Sequence, residues 1–157
     1  MITLFCIGKN KEKALVQLEK EYIKRIQAFS KIQVIEVKDE SNVHMERDKE
    51  AALIKEKEGD RVLEKIRPQD LVVLLDLHGK MPDSIQFSKH MQEWFLKSSN
   101  LVFVIAGSLG PSPALVQRAD YRWKLSDLTF THLMTRILVL EQIYRAFMIQ
   151  NGRSYHK

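Results

Sequence analysis

An α/β fold, with a mostly parallel sheet flanked by helices, is what this chain predicts, and three observations carry the reading. Short apolar or β-branched runs alternate with segments whose apolar residues recur every three or four positions. One run, Leu71–Leu77 (LVVLLDL), is nearly unbroken, the pattern of a strand covered on both faces. At 157 residues, 45% apolar and 29% charged, the chain has the size and balance of a single domain, 1–157, with a buried core.

The elements follow in order. Ile2–Ile7 predicts a buried strand closed by Gly8 and a Lys/Asn turn. From Lys11 to Phe29, Leu15, Leu18, Tyr22, Ile26 and Phe29 fall on one helix face. Ile32–Val37 returns to β-branched residues, a second strand. Asp39–Arg47 is polar and uneven, which predicts a flexible loop. A charged helix over Asp48–Ile66 follows, with Leu53, Val62, Leu63 and Ile66 apolar and its KEKEG run read as solvated surface. Pro68 closes it. After the Leu71–Leu77 strand, Ser84–Lys97 is helical, with Phe87, Met91, Trp94 and Phe95 as core candidates. Leu101–Ala106 is another central strand, and Pro113 suits the first turn of a short helix. Tyr121–Leu125 is the last strand. Leu133–Gln150 is a long helix stopped by Asn151-Gly152, with RSYHK beyond it.

Composition excludes several classes. No apolar run approaches the ~20 residues of a transmembrane helix. The opening MITLFCIG lacks a basic leader and a cleavage site, so a cytoplasmic protein is expected. The lone Cys6 fits a reducing compartment and reads as a small buried hydrophobe rather than a nucleophile. The five histidines show no HExxH spacing and have no companion cysteines, so no metal site is expected. Net charge is +5, and residues 117–157 hold seven Lys and Arg against three Asp and Glu. That excess points to an anionic partner such as nucleic acid, with a solvated basic face as the alternative.

In a parallel sheet, ligands sit outside the carboxyl ends of the strands. Three strand ends carry chemistry here: Leu75–Gly79, Ile105–Gly110 and Leu125–Phe130. The middle one, AGSLG, is neither GxxxxGK[ST] nor GxGxxG, so it is no phosphate cradle or dinucleotide fingerprint. Its glycines permit close backbone approach to a ligand, and strand-end main-chain groups can bind an adenine and a ribose without charged side chains.

Taken together, the motifs resemble a known family. They are Gly8-Lys9, KEKEG (Lys55–Gly59), LDLHGK (Leu75–Lys80), VIAGSLG (Val104–Gly110), LSDLTFTHLMTR (Leu125–Arg136), EQIYRAF (Glu141–Phe147) and the terminal YHK (Tyr155–Lys157). In this order they resemble the ribosomal RNA large subunit methyltransferase H family of the SPOUT superfamily, along essentially the whole chain. Ala106-Gly107 stands where relatives commonly have Gly-Gly, and Thr131 where they often have proline. The resemblance implies a SPOUT fold with a C-terminal trefoil knot, a homodimer, and S-adenosyl-L-methionine as cofactor. It implies methylation of N3 of a pseudouridine in large-subunit (23S) ribosomal RNA, on the assembled ribosome. Cofactor contacts would come from Leu75, from Ala106, Gly107 and Gly110, and from Leu125, Ser126, Asp127, Leu128, Thr129 and Phe130.

Methyl transfer to a protonated imide nitrogen calls for a base, and His156 and His132 are the suitable side chains. Tyr155 could stack on a base, while Arg136, Arg153 and Lys157 could hold phosphates. Two other readings stay open: a SPOUT enzyme acting on another RNA such as transfer RNA, and a non-catalytic ribosome- or RNA-binding module.

Overall fold

The computed structural model describes residues 1–40 and 48–157, so the expected loop after Asp39-Glu40 lies outside the described residues. Strand and helix alternate throughout: β1 (Ile2–Ile7), α1 (Lys13–Ile26), β2 (Ile32–Val37), α2 (Asp48–Leu63), β3 (Leu71–Lys80), α3 (Ser84–Lys97), β4 (Leu101–Ile105), α4 (Pro113–Arg118), β5 (Tyr121–Trp123) and α5 (His132–Gln150). The five strands form one sheet in the order β2-β1-β4-β3-β5. Every pairing is parallel, β1 lying between β2 and β4, and β3 between β4 and β5.

The uninterrupted apolar runs explain this placement. β1 and β4 are buried along their whole length and occupy the interior of the sheet. Helices cover both faces, as such strands require. One face packs Ile2, Leu4, Val73, Phe103 and Trp123 against Phe87, Met91 and Trp94 of α3 and the inner side of α5. The other packs Phe5, Val72, Leu74, Val102 and Val104 against Val62 of α2 and Leu115 of α4. Aromatic rings concentrate on the first face, where Phe87 stacks on Trp123 at 4.3 Å.

Differences from the expected elements have physical reasons. β3 runs to Lys80 rather than Leu77, because Leu75 and Lys80 both pair with Trp123 and the residues between them bulge out. In α1 and α2 the apolar faces are less regular than their spacing suggests. Leu18 and Leu53 are exposed, whereas the carboxylates Glu19 and Glu58 are buried. Cys6 is buried as expected, and burial pushes its thiol up to about 12. It is therefore a protonated core group rather than a thiolate.

Candidate functional site

The three strand ends come together. At the first, the β3 bulge carries Asp76, whose buried carboxylate accepts the His78 N–H at 2.9 Å and Arg122 Nε–H at 2.7 Å. Burial alone would raise this carboxyl, but the two donors outweigh it and hold it below the usual carboxylate value. Gly79 lets β5 approach: a Cβ there would lie 2.4 Å from the Arg122 carbonyl oxygen.

At the second end, Gly110 turns the chain at φ +90 and donates to the Gly107 carbonyl at 3.0 Å. Ser112 then caps α4 by accepting the Leu115 N–H, with Pro113 in the first turn. Among the described residues only glycines have positive φ, so Ala106 sits where a side chain is tolerated. Beneath this loop lies KEKEG, whose reading as a solvated helix surface holds for Glu56 and Lys57 and is corrected at Glu58 and Gly59, which are buried. Glu58 is buried with its carboxylate against Gly107, and it accepts the Glu40 N–H at 2.9 Å. A Cβ on Gly59 would lie 2.4 Å from Ser112 Oγ.

The third end leaves β5 with the Lys124 N–H on the Lys80 carbonyl. It turns at Ser126, which accepts the Leu128 N–H, and enters α5 under the Thr131 cap.

These three loops line one cavity of about 600 Å³. Leu75 contributes from the first loop, Ala106, Gly107 and Gly110 from the second, and all of Leu125–Phe130 except Asp127 from the third. Asp127 points away, 78% exposed and paired with Lys124 at 2.5 Å. His132 lines the cavity from the first turn of α5. The main-chain N–H groups of Ser126, Thr129 and Phe130 donate to no acceptor among the described residues, so the wall offers free donors beside apolar side chains. Lys55, Arg122 and Lys124 also line it and were not anticipated.

The C-terminal candidates lie elsewhere in the single chain, and none of Arg153–Lys157 lines the cavity. The Tyr155 hydroxyl donates to Glu141 at 2.7 Å, its ring packs edge-on to Tyr144, and the Arg145 guanidinium lies over it. Burial and the Glu141 carboxylate raise its hydroxyl, so Tyr155 is a donor and not a base. His156 Nδ1 lies 3.1 Å from Arg145 Nη1. Arginine can only donate, so in this contact Nδ1 is the acceptor. Arg153 lies over the Phe29 ring.

The reading of Arg136 as a phosphate-holding residue is corrected. Its side chain is 1% exposed, with Nη1 on Glu36 and Nη2 on the Gly8 carbonyl, both at 2.7 Å. It ties α5 to the ends of β1 and β2, and this joins the Gly8-Lys9 motif to the one ending in Arg136.

A family described as "Predicted SPOUT methyltransferase" matches residues 1–156. A protein of Clostridium acetobutylicum named "Ribosomal RNA large subunit methyltransferase H" is 45% identical over 99% of each chain, and its namesake in Clostridium tetani is 44% identical over the same share. The chain belongs to the ribosomal RNA large subunit methyltransferase H family of SPOUT methyltransferases. Among solved structures, a probable methylase family protein from Haemophilus influenzae Rd KW20 superposes with a TM-score of 0.53 at 12% identity. The match covers 96% of this chain and 66% of that one, a likeness of fold alone. Among the described residues of this family member, no helix is long and apolar enough to cross a membrane. No three His, Cys, Asp or Glu gather there in the manner of a metal site.

Proposed function

We propose that this chain transfers a methyl group from S-adenosyl-L-methionine to N3 of a pseudouridine in large-subunit ribosomal RNA, on the assembled ribosome. The observation that carries the reading is the convergence of three strand-end loops, far apart in sequence, on one cavity. Its volume of about 600 Å³ falls within the about 300–1,000 Å³ usual for small-molecule sites. The residues present fit the cofactor. Unpaired main-chain donors of the third loop can meet an adenine and a ribose, and Leu75, Leu125 and Leu128 supply apolar walls. When bound, the cofactor supplies an electrophilic methyl group on a sulfonium.

The chain's own task is positioning and proton removal. The imide nitrogen of a uracil-type ring is protonated near neutral pH, so a base must take that proton as the new bond forms. His156 and His132 have the required chemistry. For His156 to accept through Nδ1, its contact with Arg145 must break, so the tail acts only after leaving α5. A homodimer, in which one subunit's tail reaches its partner's cavity, would bring His156 and Tyr155 to the reaction. Exposed Leu77, Leu128 and Phe130 at the cavity rim supply apolar surface for such contacts. Within this reading the third loop is the knotted segment of the family.

Mass mapping of methylated nucleosides in a strain lacking the gene tests the function. The reading requires loss of one methylated pseudouridine from large-subunit RNA, restored by the wild-type gene. An unchanged ribosomal RNA with a methyl group missing from transfer RNA redirects the substrate. No loss anywhere, with no saturable S-adenosylmethionine binding by calorimetry, reduces the chain to an RNA-binding module.

A further inference from the structure

The cavity wall holds a cation whose hydrogen-bonding capacity is only partly used. Lys55, Arg122 and Lys124 line it against a single carboxylate, Asp76. Lys124 is already matched by Asp127. Asp76 engages Arg122 through Nε alone. Both terminal nitrogens of Arg122, with four N–H groups between them, donate to no acceptor among the described residues.

This arginine is also held in place. Asp76 is 3% exposed, and its second oxygen is fixed by the His78 N–H. The Arg122 backbone is pinned against Gly79 across the β3–β5 pair. Nε of the guanidinium is thus held by a buried, ionised carboxylate, while Nη1 and Nη2, with no acceptor among the described residues, belong to a side chain that lines a ligand-sized cavity. A planar two-nitrogen edge matches two oxygens of a carboxylate or phosphate, and holding it in advance reduces the entropy lost on binding.

We propose that Arg122, oriented by Asp76 as a positioning residue, is an oxyanion-recognition group of this cavity. It takes two oxygens on its Nη1–Nη2 edge. The inference rests on the methyltransferase reading, which supplies two sources of that chemistry: the aminocarboxylate end of the cofactor and a backbone phosphate of the RNA.

Calorimetry on the full chain separates them. The probes are S-adenosylhomocysteine, which has the aminocarboxylate, and 5′-methylthioadenosine, the same nucleoside without it. If the carboxylate is the ligand, Arg122→Gln weakens the first by about ten- to a hundredfold and leaves the second within about twofold. Arg122→Lys recovers part of the loss, because it keeps the charge and loses the fork, and Asp76→Asn gives a smaller loss with the same selectivity. If a phosphate is the ligand, both nucleosides bind Arg122→Gln normally. The KM for ribosomes then rises, and its salt dependence falls by about one counterion. Equal weakening of both nucleosides, or no change in any of the three measurements, overturns the proposal. A wild-type protein that binds neither nucleoside overturns instead the functional reading beneath it.

Discussion

Replacing Gly79 with alanine tests how β3 and β5 build the cavity edge. The added Cβ would lie 2.4 Å from the Arg122 carbonyl oxygen, 2.5 Å from its carbon and 2.8 Å from the Trp123 nitrogen. The closest of these is a full ångström inside ordinary contact, which begins at 3.4 Å. All three obstacles are backbone, so none can rotate away, and β5 must retreat from β3 by ~1 Å. Trp123 moves with it, although it is 2% exposed and stacked on Phe87. Overpacking against rigid surroundings costs about 3 kcal/mol, the upper part of the usual range. For a chain of this length the melting midpoint should fall by roughly 6–12 °C. Gly107→Ala makes the control, since its Cβ meets the carboxylate end of Glu58, a side chain able to shift. Its cost is about 1 kcal/mol. Thermal unfolding followed by circular dichroism and by the emission of Trp94 and Trp123 measures both. A Gly79→Ala midpoint within about 2 °C of the parent, or a larger loss for Gly107→Ala, would refute the reasoning.

Arg136→Met should lower stability by about 3 kcal/mol in urea unfolding, because it strips Glu36 and the Gly8 carbonyl of their buried partner; a loss below about 1 kcal/mol would show the tie to be dispensable. Burial raises the Glu58 carboxyl, and the Glu40 N–H offsets only part of this. The folded state therefore binds that proton more tightly than the unfolded one, and its contribution is lost as pH rises from the ordinary carboxylate range through the raised value. Glu58→Gln should thus be more stable than the parent at about pH 8 and nearly equal to it at about pH 4; a parent more stable at the higher pH contradicts the sign. His156→Ala should cut single-turnover methylation of ribosomes by about a hundredfold or more while cofactor affinity stays unchanged, and undiminished turnover removes His156 from the mechanism. Arg153→Ala with Lys157→Ala should lower the salt dependence of ribosome binding by about two counterions, whereas an unchanged slope places the RNA contacts elsewhere.

Strand positions were legible because their signal is local. Burial on both faces demands continuous apolar runs, and β1, β3 and β4 all have them. The strand order was not legible, since nothing in a run such as LVFVI tells which parallel neighbour it takes. Glu19 and Glu58 mark the same limit. A carboxylate at a helical position reads as surface unless its surroundings are known, and Glu58 accepts from Glu40 and lies against Gly107, both on separate segments. The candidate site divides the same way. Its loops could be found from strand ends and glycines, but Arg122 and Arg136 depend on carboxylates 46 and 100 residues away in sequence.

Those two arginines also change what the basic C-terminal quarter means. Within residues 117–157, Arg118 pairs with Asp120, Lys124 with Asp127, and Arg145 with Glu141. The excess therefore rests on Arg122, Arg136, Arg153 and Lys157. Glu36 and Gly8 take up Arg136 inside the protein, and Asp76 matches the charge of Arg122 while leaving its outer edge open. Of these four, only the two tail cations have no paired carboxylate among the described residues. The basic stretch that pointed to an anionic partner thus resolves into one partly exposed fork and a short tail. Salt should weaken both, and the tail more steeply: the Arg122 side chain is 39% exposed and lines a cavity, so its fork is partly screened, whereas Arg153 and Lys157 lie on the exposed tail.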